Sequence, residues 1–348
     1  MLLLLRPCSL SRFVGVFTAS RKLCSAEPTR AVLDKHRTPT QGQWPRVLSV
    51  RLPCSLRIGP VDAMDADAVS VSLVGSPESP LRPTLKLGRE DDSLTLSMSG
   101  AESKDLGGLL CCVRLPAMLS VEVHLSGKAQ AALENLVLDQ CTVTTEDGDI
   151  ALSSIKTNKA ELCTLDGWIR SKGLLQGHLS LTSKGSGGLE AQRLVGTSLE
   201  VSTSSGDQTV AAAYVERATI VSAGGNLRLG TLHSCSAALK TSSGSVSLGG
   251  LDGDCSVSTD SGDIHVVVAR TQNLDVDTNT GDVGMLLSSP HQVSVDADSV
   301  SSSLDASMTT AEPSGDVGRI AIRSRVGTVS LRKQDWVSSL NLGARGSS

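Results

Sequence analysis

Hydrophobic and polar residues alternate over most of this chain, and a glycine that recurs about every 19 residues organises the alternation. Within each segment the apolar positions have a period of two, which is typical of strands that bury one face. A helix would need apolar spacings of three and four, and these do not dominate here. The recurring glycines are Gly148, Gly167, Gly187, Gly206, Gly225, Gly244, Gly262 and Gly281.

Positions counted from each glycine carry the same type of residue in successive repeats. Five positions before the glycine the side chain is aliphatic, for example at Val143, Val201 and Val257. Three positions before it the side chain carries a hydroxyl, for example at Thr145 and Thr203. We expect each unit to be two short strands joined at the glycine, where a positive φ favours this residue. The hydroxyls are expected to form a ladder of side-chain hydrogen bonds.

One such unit cannot bury its own apolar face, whereas a stack of units can. The pattern therefore predicts an all-β fold, a single-stranded β-solenoid (β-helix) of about ten coils between Cys141 and Leu331. Val300 stands where a glycine is expected, residues 305–319 resemble a loop insertion, and residues 185–188 hold one extra residue.

The remaining segments suggest the domain organisation. We interpret residues 1–26 as a mitochondrial transit peptide, 27–45 as a flexible linker, 46–125 as a β-rich N-terminal cap, 126–336 as the solenoid and 337–348 as a tail. The cap strands alternate but fall outside the repeat register, and a cap would shield the first coil from edge-to-edge aggregation.

The N-terminal leader predicts mitochondrial localisation. It holds Arg6, Arg12, Arg21 and Lys22, is rich in serine, and has no acidic residue before Glu27. This composition is typical of transit peptides. The run of leucines near the start suggests a secretory signal instead, and a cytoplasmic chain is the third alternative.

The cysteines fit a reducing compartment. Seven of the nine follow the leader, and an odd number without regular spacing argues against a disulfide framework. Cys141 and Cys255 occupy inward positions and are interpreted as small core residues. The adjacent Cys111 and Cys112 could form a redox or metal pair, but the Cys-x-x-Cys and His/Cys spacings of such sites are absent, so we interpret them as strand residues that point to opposite faces.

Charge and hydropathy exclude several classes of partner. The net charge is −4, which offers no basic field for nucleic acid. No stretch reaches the roughly 20 apolar residues of an integral membrane helix. The sequence contains neither a Gly-x-Gly-x-x-Gly motif that opens a helix nor a glycine-rich loop that ends in Gly-Lys-Ser/Thr. We therefore expect no nucleotide cofactor and no other cofactor.

An acidic region late in the repeats is the candidate cation site. Asp275, Asp277 and Asp296 fall on outward positions of what the period predicts to be adjacent coils, so they should cluster. Clustered carboxylates could hold Ca²⁺, which prefers oxygen ligands. A solvated acidic face that keeps the sheet soluble accounts for the same residues, and we favour that interpretation.

Strings in the repeats resemble a known family. The segments VRLPAMLSVEVHLSG, TTEDGDIALSSI, STSSGDQTV, STDSGDIHV and DTNTGDVGM are similar to the putative-adhesin family of β-solenoid domains, over roughly residues 100–331. With its leader the chain is similar to a vertebrate member of that family. The resemblance implies a β-solenoid fold and brings no catalytic residues with it.

Two function classes remain open. The first is a non-catalytic interaction or scaffold protein that binds a protein partner along an extended sheet surface. The alternative is a carbohydrate-active enzyme that cleaves polysaccharides, because parallel β-helices can host paired carboxylates. Such a site also needs sugar-stacking aromatics, and Trp168 and Tyr214 are the aromatic residues within the repeats.

Overall fold

The computed structural model describes residues 31–39, 45–62, 68–76, 83–90, 92–100, 106, 108–302 and 318–334. The described elements are all strands, in agreement with the all-β expectation. They are β1 Ala31–Pro39, β2 Val47–Leu52, β3 Ser55–Pro60, β4 Ala68–Gly75, β5 Thr84–Glu90, β6 Ser93–Ser99, β7 Leu110–Leu115, β8 Leu119–Leu125, β9 Ala131–Glu134, β10 Val137–Thr145, β11 Ile150–Thr164, β12 Ile169–Ser183, β13 Leu189–Thr203, β14 Gln208–Ser222, β15 Leu227–Ser243, β16 Val246–Ser261, β17 Ile264–Arg270, β18 Asn273–Thr280, β19 Val283–Leu287, β20 Gln292–Ser302 and β21 Arg319–Lys333.

Two parallel ladders form the stack. Strands β11 to β16 each contribute their N-terminal part to one ladder and their C-terminal part to the other, and successive strands keep the same residue positions in register. We call the ladder that contains Val143, Leu162, Leu181 and Val201 sheet 1. Sheet 2 contains Ile150 and the residues aligned with it. The inward side chains of both sheets form one continuous core.

The strands at the N-terminal end do not stack in chain order. Strand β2 pairs in parallel with both β6 and β8, and β3 pairs in parallel with both β7 and β9. The coil formed by β2 and β3 therefore lies between two coils that come later in the chain. Strand β5 pairs antiparallel with β6, β4 with β7, and β1 with β4.

This arrangement changes two expectations about the N-terminal part. Strands β2, β3, β6 and β7, predicted as a cap outside the repeat, share the ladders and the core of the repeats, because period-two alternation is all that parallel pairing requires. Residues 31–39 form strand β1 rather than part of a flexible linker. An edge strand needs only backbone partners on one side, so its polar composition does not prevent pairing.

The C-terminal end is also out of chain order. Strand β21 pairs with β18 and β19 on one side and with β20 on the other. Ile322 consequently lies between Val276 and Val295. Strand β20 is the outermost described strand at this end, although β21 follows it in the chain.

Close stacking of the turns explains the recurring glycines. A Cβ on Gly206 would lie 2.2 Å from the carbonyl oxygen of Gly187, and one on Gly225 would lie 2.1 Å from the carbonyl oxygen of Gly206. Positive φ, the expected reason, applies to only some of the turns, such as Gly262 and Gly281. Backbone contact between coils is therefore the general requirement, because any side chain would push the coils apart.

The buried hydroxyls bond mainly to backbone rather than to one another. Thr145 Oγ1 donates to the Gly148 carbonyl at 2.7 Å, and Ser183 Oγ donates to the Gly187 carbonyl at 2.7 Å. The expected contact between hydroxyls occurs where Thr203 Oγ1 donates to Ser222 Oγ at 3.3 Å. Most hydroxyls of this column thus donate to carbonyls of the glycine turns, whereas the buried Thr278 Oγ1 has no hydrogen-bond partner among the described residues.

The inward register of the repeats predicts unequal effects at two neighbouring positions. Val257 is fully buried and Ser256 is exposed. Val257→Asp would bury an unpaired carboxylate and should lower the free energy of unfolding by several kcal/mol. Ser256→Asp keeps its carboxylate in solvent beside Asp275 and should lower it by about 1 kcal/mol or less. Thermal denaturation of the two variants compares them, and equal melting temperatures would contradict the register.

Candidate functional site

The three aspartates of the candidate cation site do not form one cluster. Asp275 and Asp277 lie on β18, and Asp296 lies on β20. Because β21 is inserted between these strands, Arg323 lies between Asp277 and Asp296 in the ladder. The expectation that the three carboxylates occupy adjacent coils is therefore wrong. In the part of the chain that the structure describes, no three His, Cys, Asp or Glu side chains could hold a metal ion together.

Carboxylates that follow the turn glycines serve as backbone acceptors. The N–H of Asn226 donates to Asp207 Oδ1 at 2.9 Å, and the N–H of Asp282 donates to Asp263 Oδ1 at 2.9 Å. Asn226 Oδ1 in turn accepts the N–H of Ser245 at 3.0 Å. Each side chain thus links its own turn to the next coil. The backbone hydrogen bond from Asn226 holds the pKa of Asp207 below its usual value.

Trp168 interrupts this row of acceptors. Its backbone N–H donates to Asp149 Oδ1, but its indole ring occupies the space above Gly188, where a Cβ would lie 2.8 Å from the ring. The Arg170 guanidinium lies 5.1 Å from the ring centroid and also pairs with Asp149. Trp168 is therefore a packing residue with a cation–π partner.

A row of four polar and aromatic side chains, not recognised from the sequence, crosses one corner of the stack. The rings of Tyr214 and His233 are 6.3 Å apart, and His233 Nδ1 lies 2.9 Å from Asp252 Oδ2. Arg270 Nε donates to Asp252 Oδ1 at 2.9 Å. The hydrogen bond from Arg270 contributes most to lowering the pKa of Asp252. The four residues share the eighth position after successive turn glycines, so the repeat register could have revealed them.

The corner row makes a chain of contacts rather than a catalytic group. The side chains of Arg270 and His233 are 76% and 54% exposed, so solvent screens the charges. Asp252 is ionised and engaged with both neighbours, which leaves it unsuited to act as a general acid. We interpret the row as a series of exposed links between four coils.

The outer face of sheet 1 carries two adjoining shallow depressions. The first, of about 200 Å³, is lined by Thr142, Thr144, Glu161, Leu162, Cys163, Ser180 and Thr182. The second, of about 180 Å³, is lined by Ser180, Thr182, Glu200, Val201, Ser202, Thr219 and Val221. Ser180 and Thr182 belong to both, so the two depressions form one continuous surface across successive coils. We call this surface, from Thr142 to Val221, the sheet 1 surface.

The inward cysteines are inert core residues. Cys141 and Cys255 are buried, as expected from their positions, and burial raises the pKa of each thiol to about 12. Cys111 is buried and Cys112 is half-buried, so the pair points to opposite faces, as expected. A thiol with a raised pKa is a poor nucleophile and a poor metal ligand at neutral pH.

Comparison with known proteins matches part of the chain to one family model and most of the chain to several solved structures. Residues 176–331 match the family model described as Toastrack DUF4097. A putative adhesin from Parabacteroides merdae is 10% identical over 89% of this chain and 98% of that chain, with a TM-score of 0.44. A putative adhesin from Parabacteroides distasonis is 11% identical over 86% and 96% of the two chains, with a TM-score of 0.41.

A further solved structure is named a putative lipid binding protein. It also comes from Parabacteroides distasonis, and it is 11% identical over 89% of this chain and 98% of that chain, with a TM-score of 0.33. At such low identity and TM-score none of the three structures says what this chain binds. What the comparisons show is the match of residues 176–331 to this family model, and the described elements in that range are all strands.

The carboxylates after the turn glycines should make the free energy of unfolding depend on pH. Asp207→Ala removes the acceptor for the Asn226 N–H and should lower the free energy of unfolding by about 1–2 kcal/mol at neutral pH. Asp207→Asn should cost less, because an amide oxygen can accept the same bond, as Asn226 does for Ser245. Denaturant unfolding at several pH values measures both variants.

The sign of the pH effect follows from the lowered pKa of Asp207. A carboxylate with a lowered folded-state pKa stabilises the fold above its unfolded-state pKa of about 3.9, and this contribution is lost as the pH falls through the folded-state value. The difference between the wild type and Asp207→Ala should therefore shrink below about pH 4. A difference that stays constant down to pH 2 would show that the carboxylate charge plays no part.

Proposed function

We propose that the protein is a non-catalytic binding or scaffold protein that holds a polypeptide partner on the sheet 1 surface. The observation that carries the proposal is the pair of adjoining depressions. They follow the stack direction, so a partner lying along them would contact outward side chains from successive coils. Coils spaced about 4.8 Å apart offer these contacts at regular intervals.

The side chains of the sheet 1 surface suit binding by shape and hydrogen bonding. Half of them are Ser or Thr, which can donate and accept, and Val221 adds a 37% exposed apolar side chain. Glu161 is paired with Lys159 at 2.6 Å, so its charge is partly compensated. A shallow surface of this kind can contact a protein partner over an extended, complementary area. It is not concave enough to enclose a small substrate.

The carboxylates also favour binding over polysaccharide cleavage. Glycosidic cleavage needs one carboxyl group with a raised pKa, able to donate a proton. In the described residues each carboxyl group with a clear shift is shifted downwards, namely Asp34, Asp166, Asp207, Asp252 and Asp254. These groups are ionised at neutral pH and act as hydrogen-bond acceptors.

The described residues also contain no helix long and apolar enough to cross a membrane.

The sheet 1 surface can be tested by placing bulky charges within it. Thr182 and Ser202 are neighbours in the ladder, and we expect the double variant Thr182→Arg with Ser202→Arg to weaken partner capture by about tenfold or more, equivalent to ~1.4 kcal/mol. Proximity labelling in cells with a C-terminal fusion measures the loss of specific neighbours.

A control with the same added charge lies outside the sheet 1 surface, in the N-terminal parts of β14 and β15. Thr209 and Thr231 are exposed hydroxyl residues of sheet 2, and changing both to Arg adds the same charge elsewhere. The control should leave the labelled neighbours unchanged. Equal loss in both variants, or no loss in either, would contradict the proposed surface.

We further propose that the protein acts in mitochondria, because its first 26 residues are basic and acid-poor. Those residues lie outside the described part of the chain. Replacing Arg6, Arg12, Arg21 and Lys22 with neutral residues should abolish import, since import driven by a membrane potential needs positive charge. A C-terminally tagged chain can be localised by microscopy. Cytosolic location both with and without the changes would overturn this proposal.

A further inference from the structure

In the described part of the chain, no strand covers the inward side chains of β20 on the side away from β21. Val293 and Val295 stack on the buried Ile320 and Ile322, but both valines are only half-buried themselves. Val300 stacks on the buried Val329 and is 49% exposed. Among the described residues, the apolar columns of both sheets therefore end at β20, and no described strand pairs with its free edge.

The opposite end of the stack is closed. Asp34 of β1 accepts the backbone N–H of Leu85 on β5 at 3.0 Å, which ties the two outermost strands together across the end. Leu85 is buried beneath them. These strands also carry Lys35 and Lys86, and charged edge residues of this kind discourage pairing with other chains. Strand β20 contains no Lys, Arg or Pro.

We propose that β20 is a self-association surface and that its occupant is the β20 strand of a second copy of this chain. An antiparallel pairing centred on Val295 makes the strand complementary to itself. Val295 then faces Val295 of the other copy, and Val293 faces Ala297 across the interface. A two-fold arrangement of this kind is the commonest way for identical subunits to associate.

The polar positions of β20 fit the same register. With Val295 on the two-fold axis, Ser294 lies opposite Asp296 and Gln292 lies opposite Asp298. Each carboxylate therefore meets a hydroxyl or amide donor of the other copy rather than another carboxylate. Shifting the centre by one residue, to Asp296, would place two Asp296 side chains directly opposite each other, which is unfavourable.

The length of the contact between the two β20 strands determines the affinity that we expect for the dimer. Seven paired residues extend only about 23 Å, at about 3.3 Å per residue, and the buried area falls below that of a typical stable complex. We therefore expect a reversible dimer with a dissociation constant of roughly micromolar magnitude. The sheet 1 surface stays open in this dimer, so the inference does not depend on the proposed function.

Charge changes at Ser294 test the dimer and its register. Sedimentation velocity of the full chain should show a monomer–dimer equilibrium. Ser294→Asp puts a carboxylate opposite Asp296 and should weaken the dimer about tenfold or more, whereas Ser294→Lys should strengthen it. The matched control is Ser256→Asp, at the corresponding outward position of an inner coil beside Asp275, which should leave association unchanged.

Other occupants of the β20 edge give different results. If the full chain is monomeric and a chain ending at Gln334 dimerises, residues 335–348 cover the edge and the proposal is wrong. Open-ended oligomers that grow with concentration would also overturn the closed dimer. The proposal is also wrong if both the full chain and the chain ending at Gln334 are monomeric at all concentrations. It is equally wrong if neither Ser294→Asp nor Ser294→Lys changes the dissociation constant of the dimer.

Discussion

The contact between turn glycines of successive coils is the constraint on which this structure depends. From Gly167 to Gly281, each recurring turn glycine lies against the carbonyl oxygen of the glycine in the preceding coil, and a Cβ there would lie 1.8–2.4 Å from that oxygen. The coils can therefore approach at the spacing that parallel ladders need. The other regular features follow from this approach: buried hydroxyls donate to the glycine carbonyls, and carboxylates after the glycines accept amides of the next coil.

The sequence predicted the local structure well because the inward pattern is written into every repeat. Alternation identified the strands, the buried positions such as Val257 and the inert cysteines. The sequence led to positive φ as the general reason for the glycines, whereas contact with the backbone of the neighbouring coil is the general reason. A sequence shows which residue recurs, but it does not show which atoms approach that residue. The contacts among Tyr214, His233 and Asp252 are also encoded in the sequence, because all three residues occupy the eighth position after a turn glycine.

The order of the coils could not be predicted, for a physical reason. Every coil presents the same alternating pattern, so any coil can pair with any other, and the pattern does not specify which neighbour it takes. Both ends of the stack use this freedom. Insertion of β21 beneath β20 separates Asp296 from Asp277 and leaves β20 as the outermost described strand. The same insertion explains why the aspartates expected on adjacent coils do not cluster and why β20 forms the edge of the described sheet.

The glycine contact can be tested within a single turn, where two glycines lie side by side. A Cβ on Gly225 would lie 2.1 Å from the Gly206 carbonyl oxygen, whereas the nearest atom to a Cβ on Gly224 is 3.7 Å away. Denaturant unfolding should show that Gly225→Ala lowers the free energy of unfolding by about 3 kcal/mol or more, while Gly224→Ala changes it by less than about 0.5 kcal/mol. Equal, small effects of the two substitutions would contradict the view that backbone contact between glycines sets the stack.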